Sequence, residues 1–193
     1  VMVFHVSTGA GAAVIRRARG EGVKVFAETC PQYLFLEAAD LDKQGFEGAK
    51  WMCSPPLRDK ADQEAIWRAL DLGDLQLVSS DHAPYRMDAS GKFNASATPN
   101  FKQIANGQPG LEMRLPVLFD AMVSRAGPAR RVERLMQFVA WTATEPARLY
   151  DLPRKGAIAI DADADVAIWN PAREVTLTDE LHDNVGYNPY RGR

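Results

Sequence analysis

The sequence predicts an α/β fold in which parallel β-strands alternate with helices. Three short apolar runs, at residues 1–7, 23–28 and 75–80, have the length and the β-branched content of buried strands. Helical patterns fill the intervals, and a strand–helix–strand order requires parallel strands joined by crossover helices. His5 interrupts the first run and Asp81 ends the third, an arrangement typical of a metal site at the mouth of a parallel barrel.

The first 80 residues contain most of the regular pattern. The Ala-rich segment Gly9–Gly20 follows the first strand and predicts a helix that ends near Gly22. The second strand leads into a loop-rich stretch that continues to residue 58. A further helix is predicted from Ala61 to Leu72, because its apolar residues share one face and Gly73 is a suitable stop. The third strand follows directly.

A long polar stretch and more helices follow the third strand. Residues 82–110 are rich in Asn, Ser, Pro and Gly, and a loop of this length in a compact domain often covers an active site. Helical patterns return at 111–125, where Pro116 predicts a kink, and at 130–141. Residues 145–150 suggest one more short helical turn.

The last part of the chain changes to a period of two residues. Ile158 and Ile160, and then Val166 and Ile168, alternate with small residues, which predicts a β-hairpin. The acidic run at 161–165 between them imitates the start of a calcium-binding loop. Its sixth position holds Val166 instead of the required glycine, so we interpret the run as a solvated turn.

Composition limits the possible partners and the compartment. The 193 residues are 46% hydrophobic and 25% charged with a net charge of −2, as in soluble globular proteins, so nucleic acid and anionic membrane are not expected partners. No apolar stretch reaches the roughly 20 residues of a membrane span. Cys30 and Cys53 are isolated, which predicts reduced thiols and a cytoplasmic location. Val1 falls inside an apolar strand, so we expect a piece of a longer protein.

His5 and Asp81 are the candidate metal ligands. An imidazole and a carboxylate at the ends of two buried strands are the ligand types that zinc takes. Each residue also has an ordinary interpretation, as a hydrogen-bonded core histidine and as a helix-capping aspartate. The sequence pattern around them leaves both interpretations open.

Dinucleotide binding is an alternative for the N-terminal part. Gly9 and Gly11 follow a strand and open a helix, and Glu28 closes the next strand about 20 residues on, where an acid could bind a ribose. The third glycine of that fingerprint would fall on Val14, and His5 has no place in it. The fingerprint is therefore incomplete.

A larger set of motifs points to one family. The motifs are, in order, Phe4-His5-Val6-Ser7, Glu28-Thr29-Cys30-Pro31-Gln32-Tyr33-Leu34, Ser54-Pro55-Pro56-Leu57-Arg58, Ser80-Asp81-His82-Ala83-Pro84, Ile104-Ala105-Asn106-Gly107-Gln108-Pro109-Gly110 and Lys155-Gly156. In this order and at these intervals they resemble the hydantoinase/dihydropyrimidinase family of cyclic amidases, within the amidohydrolase superfamily. Gln32 stands where the related allantoinases and dihydroorotases tend to carry His.

The resemblance implies a role for four residues. His5 is similar to the metal-ligating His that ends the sixth barrel strand, and Asp81 to the eighth-strand Asp that binds metal and serves as general base. Ser54 and Asn106 resemble the two positions whose backbone groups hold the amide of a small cyclic substrate. The implied cofactor is a pair of divalent metal ions, expected to be zinc, whose bridging carboxylated lysine lies outside this chain.

The resemblance also implies an architecture and an activity. Residues 1–155 would be the C-terminal part of a (β/α)8 TIM-like barrel (strands six to eight), 156–171 the return hairpin of a small β-sandwich domain, and 172–193 the start of a C-terminal extension. The implied reaction is metal-dependent ring opening of dihydropyrimidines or hydantoins to N-carbamoyl amino acids by a homotetramer, with this chain alone inactive. The same family includes non-catalytic scaffold proteins, which remain an alternative.

Overall fold

Three parallel strands form the sheet at the centre of the protein. The computed structural model describes residues 1–93 and 100–192 of the chain. The strands are β1 (Met2–Val3), β2 (Phe26–Thr29) and β3 (Leu77–Val78), with the order β1-β2-β3 and β2 in the middle. Both pairings are parallel. The prediction of an α/β fold with parallel strands is therefore confirmed.

The regular strands are shorter than the predicted ones, although backbone pairing extends beyond them. Val6 N donates to Glu28 O at 2.9 Å, and Ser79 N donates to Thr29 O at 3.0 Å. His5, between Val3 and Val6, has a φ of 58°, and this left-handed conformation interrupts the regular ladder. The chain thus stays beside β2 after the regular hydrogen-bond pattern has ended.

Six α-helices surround the sheet within the described residues. They are α1 (Gly9–Gly20), α2 (Pro31–Phe35), α3 (Lys60–Asp71), α4 (Leu111–Phe119), α5 (Arg131–Val139) and α6 (Glu145–Leu149). Short 3-10 turns lie at Ala38–Leu41, Glu47–Trp51 and Phe101–Gln103. Single π-helical turns, Asp120–Ser124 and Ala140–Thr144, extend α4 and α5.

Side-chain caps explain where the two longest helices begin. The Thr8 hydroxyl accepts a hydrogen bond from Gly11 N at 3.1 Å, and the Asp59 carboxylate accepts one from Asp62 N at 3.0 Å. The predicted bounds of α1 agree with the structure, and those of α3 differ by one residue at each end. The predicted helix at 111–125 forms as α4 and its π-turn, and α2 was not predicted.

Two hydrophobic clusters hold the elements together. The first lies between the sheet and the helices and includes Val6, Ile15, Ile66, Val78, Leu118 and Trp141. The second lies around α2 and includes Cys30, Tyr33, Cys53, Leu57, Met113 and Tyr190. Because the second cluster joins residues from all parts of the chain, it fixes the loops beside the sheet to the C-terminal segment.

The hairpin predicted over residues 156–171 does not form in this structure. No residue of this range lies in a strand, and the side chains of Ile158, Ile160 and Ile168 are 93–95% exposed. A two-stranded hairpin is marginal in water unless it packs against a further strand or a helix. The described residues offer these side chains no such partner. The sandwich domain and the domain boundaries stay predictions.

The polar stretch at 82–110 is more ordered than a loop prediction suggests. His82 and Gln108 form a parallel bridge, and Ala83 N donates to Gln108 O at 3.1 Å. Residues 94–99 of this predicted loop lie outside the described residues. In the part of the chain that the structure describes, no helix combines the length and the apolar character needed to cross a membrane.

Candidate active site

The two predicted metal ligands lie together at one end of the sheet. His5 follows β1 and Asp81 follows β3, so the carboxyl ends of the two outer strands carry them. The distance from His5 Nε2 to Asp81 Oδ1 is 3.6 Å, and both side chains are only partly buried. Both residues have a positive φ, 58° and 45°, which costs energy outside glycine. Strained backbone of this kind is frequent at functional sites.

A buried carboxylate from the middle strand holds the imidazole. Glu28 is 2% exposed, and its Oε1 lies 3.1 Å from His5 Nδ1. The same oxygen accepts a hydrogen bond from the Ser79 hydroxyl at 2.7 Å. Burial raises the pKa of Glu28, and the contacts with Ser79 and His5 oppose that shift. With the proton on Nδ1 directed at Glu28, Nε2 is the nitrogen left to bind a metal.

Gln32 orients the candidate base. Its amide Nε2 donates to Asp81 Oδ2 at 2.7 Å, while the other carboxylate oxygen faces His5. Burial raises the pKa of Asp81, and the nearby His5 and the hydrogen bond from Gln32 both oppose the rise. One carboxylate oxygen is therefore fixed by an amide, and the other is directed towards the imidazole.

Cys30 is the third potential ligand. His5, Cys30 and Asp81 each offer a ligand atom, and these atoms lie within 4.8 Å of one another. The thiol is fully buried, 3.4 Å from His5 Nδ1 and 3.2 Å from the Ser79 hydroxyl. Burial raises its pKa far above the usual value, so without a metal the thiol stays protonated. His5 and Asp81 are more exposed and supply a nitrogen and an oxygen that suit zinc.

The segments that carry Ser54 and Asn106 lie next to each other. Gly107 N donates to Met52 O at 2.9 Å, which joins the two segments directly. The bridge between residues 82 and 108 places the second segment beside the chain that follows Asp81. Ser54 and Asn106 are themselves exposed. The structure thus brings the two segments together, beside the chain that follows Asp81.

The N-terminus of α1 does not suit a dinucleotide. The Asp62 carboxylate accepts the Gly9 N–H at 2.8 Å, so a negative charge already occupies the position of a phosphate. A side-chain carbon at Gly9 would lie 2.6 Å from Ala65 Cβ, so α3 blocks the approach. Glu28, the supposed ribose acid, is buried against His5.

Known proteins share sequence and fold with this chain. A model of the amidohydrolase family matches residues 13–190. The chain belongs to the amidohydrolase family. It is 42% identical over 193 residues to a D-hydantoinase of Streptomyces coelicolor, and the match covers 99% of this chain and 39% of that relative.

Solved structures show the same relationship for this amidohydrolase. A dihydropyrimidinase from Brevibacillus agri NCHU1002 is 41% identical with a TM-score of 0.87, and the match covers 100% of this chain and 40% of that one. A D-hydantoinase from a Bacillus sp. AR9 is 42% identical, also with a TM-score of 0.87, and the match covers 100% and 41%. The chain spans about two fifths of the length of the relatives it matches. The resemblance found in the motifs is confirmed.

The sequence predicts that His5 and Asp81 lie at this candidate site, but it does not predict all of their neighbours. The roles of Glu28, Cys30 and Ser79 around His5 were not predicted, although Glu28 and Cys30 lie in a motif that carried the resemblance. His82 is outside the site, because its Nδ1 accepts the N–H groups of Gly110 and Leu111 at the start of α4.

Proposed function

We propose that the complete protein is a metal-dependent cyclic amidase that opens hydantoin or dihydropyrimidine rings to N-carbamoyl amino acids. The observation that carries the proposal is the distance of 3.6 Å between His5 Nε2 and Asp81 Oδ1. Glu28 contacts the other nitrogen of His5, and Gln32 contacts the other carboxylate oxygen of Asp81. The names of the relatives, D-hydantoinase and dihydropyrimidinase, support the substrate class.

The donor set fits a divalent metal. His5 and Asp81 would hold it, with Glu28 supporting the imidazole as carboxylates commonly support zinc-bound histidines. Two ions, expected to be zinc, are proposed, and the remaining ligands would come from outside this chain. Bound metal lowers the pKa of water to about 7 and so supplies a nucleophile at neutral pH.

Asp81 would move the proton during ring opening. Water adds to the ring carbonyl carbon, and the Asp81 carboxylate accepts the proton that this water releases. The carbon–nitrogen bond then breaks, and Asp81 returns the proton to the leaving nitrogen. Gln32 keeps the carboxylate in position through its 2.7 Å hydrogen bond. The single product is an N-carbamoyl amino acid, whose new carboxyl group releases the second proton of the water to solvent, so protons and electrons balance.

Ser54 and Asn106 would bind the ring. Backbone groups at these two positions hold the cyclic amide, so recognition depends on where the two segments lie and less on their side chains. Their segments are joined by the bond from Gly107 N to Met52 O. A homotetramer, implied by the resemblance, and a cytoplasmic location, inferred from the isolated cysteines, stay predictions.

Zinc-dependent turnover tests the proposal. The complete protein is treated with a chelator, reloaded with zinc and mixed with hydantoin or dihydrouracil while the loss of ring absorbance is followed. We expect no turnover without metal and restored turnover with zinc. A protein that binds no zinc and opens neither ring would instead be a scaffold of the same fold, and the proposal would be wrong.

A further inference from the structure

Lys92 is a buried lysine beside the candidate site. Its side chain is fully buried, and its ammonium donates to three backbone carbonyls: Met52 O at 3.3 Å, Ala105 O at 3.0 Å and Gly107 O at 2.5 Å. An ammonium has three N–H donors, so each donor has one acceptor. The reaction described above does not use this residue.

The three carbonyls belong to the two segments proposed to bind substrate. Met52 lies two residues before Ser54, and Ala105 and Gly107 flank Asn106. One side chain therefore contacts both segments at once. Among the described residues, the other hydrogen bond between these two segments runs from Gly107 N to Met52 O.

The Asn106 segment also contacts the chain that follows Asp81, the candidate base. Gly107 has a φ of 140°, and a side-chain carbon there would lie 2.5 Å from Ala83 Cβ. Ala83 N donates to Gln108 O at 3.1 Å. The position of the Asn106 segment is thus defined on one side by the residues after Asp81 and on the other by Lys92.

Burial of the Lys92 ammonium costs free energy. Among residues 1–93 and 100–192, no carboxylate forms an ion pair with its ammonium. Burial lowers the pKa of Lys92 to about 8, because the charged form loses its hydration. An apolar side chain would avoid this cost but could not donate to the three carbonyls. What Lys92 adds is the connection between the segments.

We propose that Lys92 is a positioning residue that holds the Ser54 and Asn106 segments at the separation that a cyclic amide requires. This inference rests on the proposed function. Lys92 touches neither His5 nor Asp81 in the structure, so its role is confined to substrate binding. Metal binding and proton transfer do not depend on it.

Substitution of Lys92 in the zinc-loaded complete protein tests this role. Lys92→Met removes all three donors at similar length, and Lys92→Gln retains two N–H donors. We expect the KM for hydantoin to rise about tenfold or more in Lys92→Met, with kcat within about threefold, because the lost contacts act equally before and during the reaction. Lys92→Gln should give a smaller rise. Bound zinc should equal that of the wild type in both variants.

Two controls separate positioning from general destabilisation. Lys102→Met removes an exposed lysine from the same stretch of chain and should leave KM unchanged. Ile66→Val loosens the first hydrophobic cluster, where Ile66 is fully buried, and should lower the melting temperature without raising KM.

The outcomes distinguish this role from the proposed function. A wild-type KM in whichever Lys92 variant folds, with only the melting temperature lowered, would overturn the positioning role alone. Loss of zinc in the Lys92 variants would overturn it as well. Absence of turnover in the wild type would overturn the proposed function, and this inference with it.

Discussion

Replacement of Glu28 by Gln should weaken zinc binding while leaving the shape of the site intact. Gln can place an oxygen where Glu28 Oε1 now accepts the Ser79 hydroxyl at 2.7 Å and faces His5 Nδ1 at 3.1 Å. What it removes is the negative charge behind the imidazole. A hydrogen bond to a charged group contributes roughly 1.5–3 kcal/mol and a neutral one about 0.5–1.5 kcal/mol. The difference, about 1–1.5 kcal/mol, corresponds to roughly tenfold in affinity.

This estimate lies at the lower end of the roughly 10–100-fold that residues supporting a metal ligand usually contribute. Glu28→Ala removes both hydrogen bonds and should approach the upper end. The measurement is calorimetric titration of zinc into the chelator-treated complete protein. Glu64→Gln, on the exposed face of α3, is the matched control and should bind zinc like the wild type. A Glu28→Gln variant with wild-type zinc affinity would refute the role assigned to Glu28.

In the metal-free protein, Glu28→Gln should stabilise the fold. Burial raises the pKa of Glu28, so its ionised form is the costly one in the folded state. The stability that the protonated group contributes is therefore present at low pH and is lost as pH rises through the raised pKa. Metal-free Glu28→Gln should melt above the wild type near pH 7.5, and the difference should shrink towards about pH 4.5. A constant difference across this range would contradict the reasoning.

Three further predictions follow from the site. Asp81→Asn should lower turnover roughly 10²–10⁴-fold at saturating zinc, since an amide cannot accept the proton, and wild-type turnover in this variant would place the base elsewhere. His5→Ala should mainly lower the zinc-to-protein ratio. Because the pKa of Lys92 is lowered to about 8 in the folded protein, the unfolded chain binds more protons between about pH 8 and 10.5. The free energy of unfolding of the wild type should therefore rise by about 2 kcal/mol relative to Lys92→Met between pH 7 and 9.5, which melting temperatures at both pH values would measure. The 193 residues alone should show no turnover above a zinc-only blank, because a catalytic zinc usually needs three protein ligands; activity that survives repurification would show that the site lies elsewhere.

The sequence predicts the positions of His5 and Asp81 because each breaks or ends an apolar run. Parallel order then requires that both lie at the same end of the sheet, and the structure places them 3.6 Å apart. The partners of these residues could not be predicted in the same way. Whether Glu28 faces the imidazole or solvent depends on side-chain direction at the end of β2, which residue spacing leaves open.

The burial of Lys92 could not be predicted from the sequence. This residue lies in a polar stretch where a lysine is ordinarily solvated, and its burial comes from carbonyls 13 to 40 residues away in the sequence. In the predicted hairpin, by contrast, residues that the pattern predicts to be half-buried are exposed. The alternation of Ile158, Ile160 and Ile168 suits a half-buried strand, yet the side chains are exposed because burial requires a partner surface that a local pattern does not supply.

His5 and Asp81 are proposed to hold a catalytic metal. Anomalous diffraction at the zinc edge, from crystals of the zinc-loaded complete protein, tests this proposal most directly. We predict a zinc ion bonded to His5 Nε2 and to a carboxylate oxygen of Asp81, at about 2.0–2.2 Å from each. Zinc bound at other residues, with these two side chains still in direct contact with each other, would contradict the account.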